Sequence, residues 1–276
     1  MIALIGLAGM LDVLRQADAR VAAVAWRLQT ANLSLCADPA ALAGFSVETL
    51  DQYAVAERAE AGAQFGLRDR PQISAVAPGS AAEKAGLRAG DEIVAVDDVP
   101  VPPGQGGKPS YARTAAVEAA LAAALAKPPV KLTLAARTVY LTGDRGCPSA
   151  VQLVPGGRFD ASADGHYVQI SGPMYEFAVG DDELAFLIGH ELAHNLVPEA
   201  KRAASGKAQR AAELAADRSA IRMMAGAGYD VSVVVPFLDR LRGKAPLSWL
   251  DGTHPSWSTR VAAAAAAVAS VRAGMP

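Results

Sequence analysis

The sequence predicts an α+β fold, a mainly helical body with a small sheet, interrupted by a block of short strands. Three observations carry this prediction. Apolar residues recur at helical spacing near the start (Val21, Val24, Leu28, Ala31, Leu35), and long alanine- and leucine-rich stretches return after residue 180. Between them, residues 72–134 hold short β-branched runs punctuated by Gly and Pro. Hydrophobic residues make up 51% and charged residues 20%, ordinary globular usage that excludes wholesale disorder and a coiled-coil rod. A length of 276 residues allows one large domain or two small ones. With 26 basic against 28 acidic residues the chain lacks the basic footprint of a nucleic-acid binder.

Met1 to Leu11 (MIALIGLAGML) is apolar, but a membrane-spanning helix needs about 20 such residues and the run stops at Asp12. It reads either as a clipped export signal, with Ala17-Asp18-Ala19 as cleavage site and no Lys or Arg before it, or as an apolar first helix. Helices are expected over Arg20 to Leu35 and Val47 to Gln64. Gln72 to Val76 reads as a strand, Ala77 to Ser80 as a turn, and Ala81 to Ala85 as a short helix ended by Gly86. Ile93 to Val96 is a second strand closed by the Asp97-Asp98 turn, and Pro102 to Lys108 is a loop. A helix over Ala115 to Ala126 stops at Pro128-Pro129, and Val130 to Leu134 alternates like a strand. Strands follow at Val151 to Val154 and Tyr167 to Ile170. Helices then cover Asp181 to Leu196, Lys207 to Ala225, Val231 to Leu241 and Ser256 to Ala273.

Cys36 and Cys147 are the only cysteines, an even count that permits one disulfide and a spacing that matches no zinc ribbon or CxxC motif. A pair would suit an oxidising compartment such as the periplasm; the other reading is two unrelated buried thiols.

The segment V-A-P-G-S-A-A-E-K-A-G-L-R-A-G-D-E-I-V-A-V-D-D, within about Phe65 to Ala136, resembles a PDZ domain of the bacterial protease-associated kind. The resemblance implies that a chain terminus or unfolded segment adds as a strand beside the sheet, its carboxylate received by a Gly-containing loop, here Phe65-Gly66-Leu67. That loop lacks the fuller glycine pattern. The alternative is a degenerate PDZ acting as a spacer.

The sharpest signal is His190-Glu191-Leu192-Ala193-His194. Residues four apart on a helix are separated by about 40° around its axis, so both imidazoles face one side and can share a tetrahedral Zn²⁺. Glu191 then lies where it can take a proton from water and pass it to a leaving amine. A third ligand is needed, and Glu213 on the next helix fits, with Asp217 one turn beyond it to orient a ligand imidazole. Glu199 and His166 are rival ligands.

These motifs resemble the gluzincin metallopeptidases of the CAAX prenyl protease and HtpX type, whose HExxH and ExxxD pattern is met by His190, Glu191, His194, Glu213 and Asp217. The family's His-Pro motif followed by an arginine is matched by His254-Pro255 and Arg260. The resemblance implies that His254 approaches the substrate carbonyl or oxyanion, that Arg260 braces the site, and that Ala161, Ser162 and Ala163 form an edge strand on which an extended peptide pairs. It covers roughly Arg20 to Cys36 and Asp144 to the C-terminus.

The full expectation is therefore a mainly helical zincin-type metallopeptidase domain with a small sheet, interrupted by a PDZ β-barrel-like domain. Its parts are residues 1–64 as a helical segment packing with the peptidase, 65–140 as the PDZ, and 141–276 as the metallopeptidase domain. The expected activity is zinc-dependent endopeptidase cleavage of protein or peptide substrates, using one Zn²⁺ and, through the PDZ, chain termini. No nucleic-acid partner and no spanning helix are expected. The setting is periplasmic or cell-envelope, with cytoplasm as the alternative. Two rivals are a PDZ adaptor with a latent peptidase half and a zinc hydrolase of small molecules.

Overall fold

A computed structural model describes residues 7–104, 106–197, 206–244 and 255–274. The chain divides into two compact units, residues 1–23 with 40–145, and residues 24–39 with 146–276. No helix among the described residues is long and apolar enough to cross a membrane. Helix α1 (Leu7–Ala31) starts earlier than the expected Arg20, because Leu11 and Ala17 continue its buried stripe toward the N-terminus. Its residues through Ala23 belong to the first unit and those from Val24 to the second.

The first unit holds β1 (Ala40–Leu42), β2 (Phe45–Glu48), α2 (Arg58–Phe65), β3 (Gln72–Val76), α3 (Ala81–Lys84) and β4 (Ile93–Val96). It continues with β5 (Val99–Pro100), α4 (Ala112–Leu125), β6 (Val130–Leu134), β7 (Thr138–Leu141) and β8 (Asp144–Gly146). Strands β5-β4-β6-β7 form an antiparallel sheet, β2 pairs antiparallel with β3, and β1 pairs with β8. Ile73, Ile93, Leu132 and Leu141 of these strands and Val117 and Leu121 of α4 make one buried cluster. Ser80 caps α3 by accepting from Glu83 N–H, and Gly86 follows it at φ +78°. Gly44, at φ +75°, is required by its surroundings, since a Cβ there would stand 2.7 Å from Ser80 Cβ.

One expectation needs correction in this unit. Residues 47–64 are not one helix: Phe45–Glu48 is captured as a strand by Gln72–Val76, Thr49 caps a short 3₁₀ turn with Gln52, and only Arg58–Phe65 is α-helical. The unit that contains the PDZ-like segment comprises residues 1–23 and 40–145.

The second unit holds β9 (Ala150–Val154), β10 (Ala161–Ala163), β11 (Tyr167–Ser171), α5 (Gly172–Phe177), α6 (Gly180–Leu196), α7 (Gly206–Gly226), α8 (Val234–Arg242) and α9 (Trp257–Arg272). The sheet runs β10-β11-β9, with β10 antiparallel and β9 parallel to β11, so β10 lies at an edge among the described strands. Helix α6 is buried along nearly its whole length against α7 and the sheet. Its first turn carries Asp181, Asp182 and Glu183, favourable near the positive end of the helix dipole. Glu183 reaches back to the start of the helix, its carboxylate accepting from Val179 N–H at 2.7 Å. Asp182 accepts from Asp230 N–H at 2.9 Å. Cys36 and Cys147 are joined by a disulfide within this unit.

Candidate metal centre

The metal-ligating side chains stand on two helices that touch. A Cβ on Gly189 would meet Ala220 Cα at 3.3 Å, so α6 and α7 approach through a glycine–alanine seam continued by Ala216, which is fully buried. That approach lets Glu213 of α7 reach the two histidines of α6. His190 Nε2 lies 3.3 Å from His194 Nε2 and 3.5 Å from Glu213 Oε2, and His194 Nε2 lies 3.4 Å from Glu213 Oε1.

These separations decide what the three groups can do. Ligand atoms about 2.0–2.2 Å from a shared tetrahedral centre stand roughly 3.3–3.6 Å apart, so the donor set fits one small metal ion. Among the described residues His190, His194 and Glu213 are the cluster suited to a metal. His166 lies outside it, on the strand side against Tyr167. Glu199 and His254 lie outside the described residues. Glu191 is 7% exposed and lines a cavity beside His190.

Behind the ligands sits a buried relay. His190 Nδ1 donates to Asp217 Oδ1 at 2.9 Å, which fixes the ring and leaves Nε2 to face the other ligands. Arg260, from α9, donates to both oxygens of Asp217, Nε to Oδ2 at 2.7 Å and Nη2 to Oδ1 at 2.8 Å. Burial alone would raise the Asp217 carboxyl, but Arg260 and His190 hold it at about 2. Burial opposes charge on the His190 ring, yet the carboxylates of Asp217 and Glu213 outweigh it and push the pKa up to about 10.

The structure places Ala161, Ser162 and Ala163 in β10, paired to Ile170, Gln169 and Val168 of β11. Phe65, Gly66 and Leu67 lie at the end of α2 and just beyond it. They terminate α2, with Leu67 only 3% exposed in a cluster with Leu11 and Ala61, and Phe65 stacked under the Arg15 guanidinium at 4.3 Å. Gly66 between them is exposed, at φ +69°, and the strand that pairs with β3 is β2.

Asn195, directly after His194, is a residue that motif reading passes over. Its Nδ2 donates to Ser149 Oγ at 2.9 Å and to Tyr167 O at 3.1 Å, and its Oδ1 accepts from Gly165 N–H at 2.6 Å. It thereby ties the end of α6 to the turn between β10 and β11. A second such tie is Glu183, whose carboxylate accepts from Arg240 of α8 at 2.6 and 2.8 Å.

Comparison with known families adds two findings. Residues 195–268 match the model of Peptidase family M48. Residues 72–119 match that of the PDZ domain. The chain thus carries a PDZ domain and a metallopeptidase-family segment that includes Glu213, Asp217 and Arg260. No curated protein and no solved structure matches it significantly.

Proposed function

We propose that the protein is a zinc-dependent endopeptidase of the gluzincin type, resembling the CAAX prenyl protease and HtpX group, with a PDZ domain that selects or presents protein or peptide substrates. The observation that carries this reading is the facing triplet His190, His194 and Glu213 with Glu191 beside it. Two histidines and one carboxylate, with one position left open, are the donor set of catalytic rather than structural zinc sites. Zinc held there supplies a Lewis acid that polarises a carbonyl and lowers the pKa of a water molecule toward about 7.

The chain's own residues do the rest. Glu191 accepts the proton of the attacking water and returns it to the leaving amine. Asp217 orients His190, and Arg260 keeps Asp217 ionised so that it remains an acceptor. An extended substrate pairs through its main chain with the edge of β10, which makes recognition tolerant of side chains along most of its length. A place in the periplasm or cell envelope, in protein quality control, is supported by the Cys36–Cys147 pair, since such bonds persist in oxidising compartments.

The test compares digestion of an unfolded model protein by the native chain and by Glu191→Gln at equal zinc content. Native cleavage with loss of at least about 100-fold in the variant is the expected result, since glutamine keeps the shape but takes no proton. Equal rates in the two would overturn the role of Glu191. Zinc-loaded native protein that cuts nothing would favour an adaptor built on the PDZ domain.

A further inference from the structure

Arg260 reaches the metal centre from α9, and the first turn of that helix brings a second side chain with it. Ser256 caps the turn, its hydroxyl accepting from Thr259 N–H at 3.2 Å, and Arg260 N–H closes it on Ser256 O at 2.9 Å. Trp257 and Arg260, three residues apart, are therefore neighbours on one face of the helix, which the fully buried Ala264 continues. The Arg260 guanidinium carbon lies over the Trp257 ring, 5.6 Å from its centroid. We infer that Trp257 is a positioning residue of the metal centre: its ring holds the Arg260 guanidinium in the orientation that grips Asp217, and so governs how long the metal is retained. This role rests on the metal-binding reading of His190, His194 and Glu213, and it does not require the protein to be a peptidase.

The bonds already made by the guanidinium define what an aromatic ring adds. Nε and Nη2 donate to the two oxygens of Asp217, and Nη2 stands 3.5 Å from His190 Nδ1. Hydrogen bonds of a guanidinium lie in its plane, so its flat faces are suited to stacking, where the negative face of a ring attracts the cation. Among aromatic side chains Trp does this best. An aliphatic side chain would fill the space without supplying the attraction.

Burial gives the ring its leverage. Exposure rises outward along the relay, from Asp217 at 0% through Arg260 at 5% to the half-buried Trp257. An arginine has a long stem with many rotamers, and water that reaches its head competes with the ion pair. A ring stacked on the guanidinium keeps water from that face and narrows the rotamers open to it. At the other end of the relay Phe186 lies against His190, with ring centroids 6.4 Å apart, so aromatic rings flank both ends.

The effect reaches the metal through contacts already described. A guanidinium that turns away leaves Asp217 without its counter-ion, and His190 Nδ1 then donates to a carboxylate that is no longer held. The imidazole gains freedom to rotate, and Nε2 loses its aim at the point shared with His194 and Glu213. Loss of one ligand in three is the first step of metal release, so the release rate is the quantity that reports the ring.

The experiment loads native and variant full chains with zinc and follows release of the metal to excess chromogenic chelator, a readout that needs no turnover. Trp257→Phe keeps an aromatic face and should release zinc within about twofold of the native rate. Trp257→Leu and Trp257→Met, which keep apolar bulk without a ring, should release it roughly tenfold faster, the size of a cation–π contact sheltered from water. Thermal melts of the metal-free chains check the fold. A merely structural role would lower those midpoints and leave release from the folded fraction unchanged. A double-mutant cycle with Asp217→Asn completes the test, because a ring that acts through Arg260 and Asp217 loses its effect once that carboxylate is gone. Native release rates in the folded Leu and Met variants, equal acceleration in the Phe variant, or full additivity with Asp217→Asn overturns the inference. Failure of the native chain to hold zinc overturns the metal-centre reading along with it. A native chain that holds zinc, shows the expected pattern of release and cuts no protein supports the role of Trp257 and removes only the peptidase reading.

Discussion

Asp217 is wholly buried and stays ionised because Arg260 donates to both of its oxygens. Truncating one member of such a pair leaves the other as an uncompensated buried charge, so Arg260→Ala should cost about 3–5 kcal/mol in denaturant unfolding. Asp217→Ala should in addition weaken zinc affinity about 10–100-fold, read by competition with a chromogenic chelator. A different balance holds at Glu48, which ion-pairs with Arg15 and accepts from Tyr53 Oη at 3.1 Å. Burial outweighs both partners and raises its carboxyl above the ordinary 4.5. As pH rises past 4.5 the unfolded chain releases this proton while the folded one keeps it, so the contribution of Glu48 to stability falls until the raised folded value is passed. Thermal melts across pH 4–8 should show this slope, and Glu48→Gln should flatten it. Much of the metal centre was legible at this scale, because His190 with His194, and Glu213 with Asp217, are each one helical turn apart. Asn195 was not legible, since its partners Ser149, Gly165 and Tyr167 come from distant parts of the chain.

At the scale of elements, helices with a repeating apolar stripe were readable, and α4, α6, α7 and α9 lie close to where spacing put them. Residues 47–64 misled because alanine and glutamate favour helix locally, whereas pairing with Gln72–Val76 decides the conformation of Phe45–Glu48. The short strands β1, β5, β7 and β8 and the helix α5 carry too few residues for any period to show. The join between α6 and the sheet is likewise a property of assembled elements. Asn195→Ala removes three hydrogen bonds there, leaves Gly165 N–H and Tyr167 O without that partner, and lets β10 shift relative to His194. Stability should fall by about 1–3 kcal/mol. If Asn195 positions the edge strand, KM for an extended peptide should rise more than kcat falls, whereas a purely structural role would lower the active fraction and leave KM unchanged.

For the whole molecule, the order of segments matters more than any one contact. The PDZ-containing stretch from Ala40 to Arg145 is inserted between two parts of the second unit, and Cys36 and Cys147 flank it, 111 residues apart in sequence with Cα atoms 5.6 Å apart. Closing so long a loop is worth on the order of 4–5 kcal/mol in the chain-entropy view, so the Cys36→Ala/Cys147→Ala double variant should show a denaturant midpoint lowered accordingly. The composition foretold an even cysteine count but could not tell a pair from two separate thiols; only the fold brings the two together. The bond also changes what a cut means. A peptidase is exposed to its own kind, and a single nick anywhere between Cys36 and Cys147 would leave one covalent molecule that runs as two fragments only after reduction. The inserted stretch would then be clipped open while the segments on either side of it stay tethered, so a cut within it need not separate the two parts of the second unit.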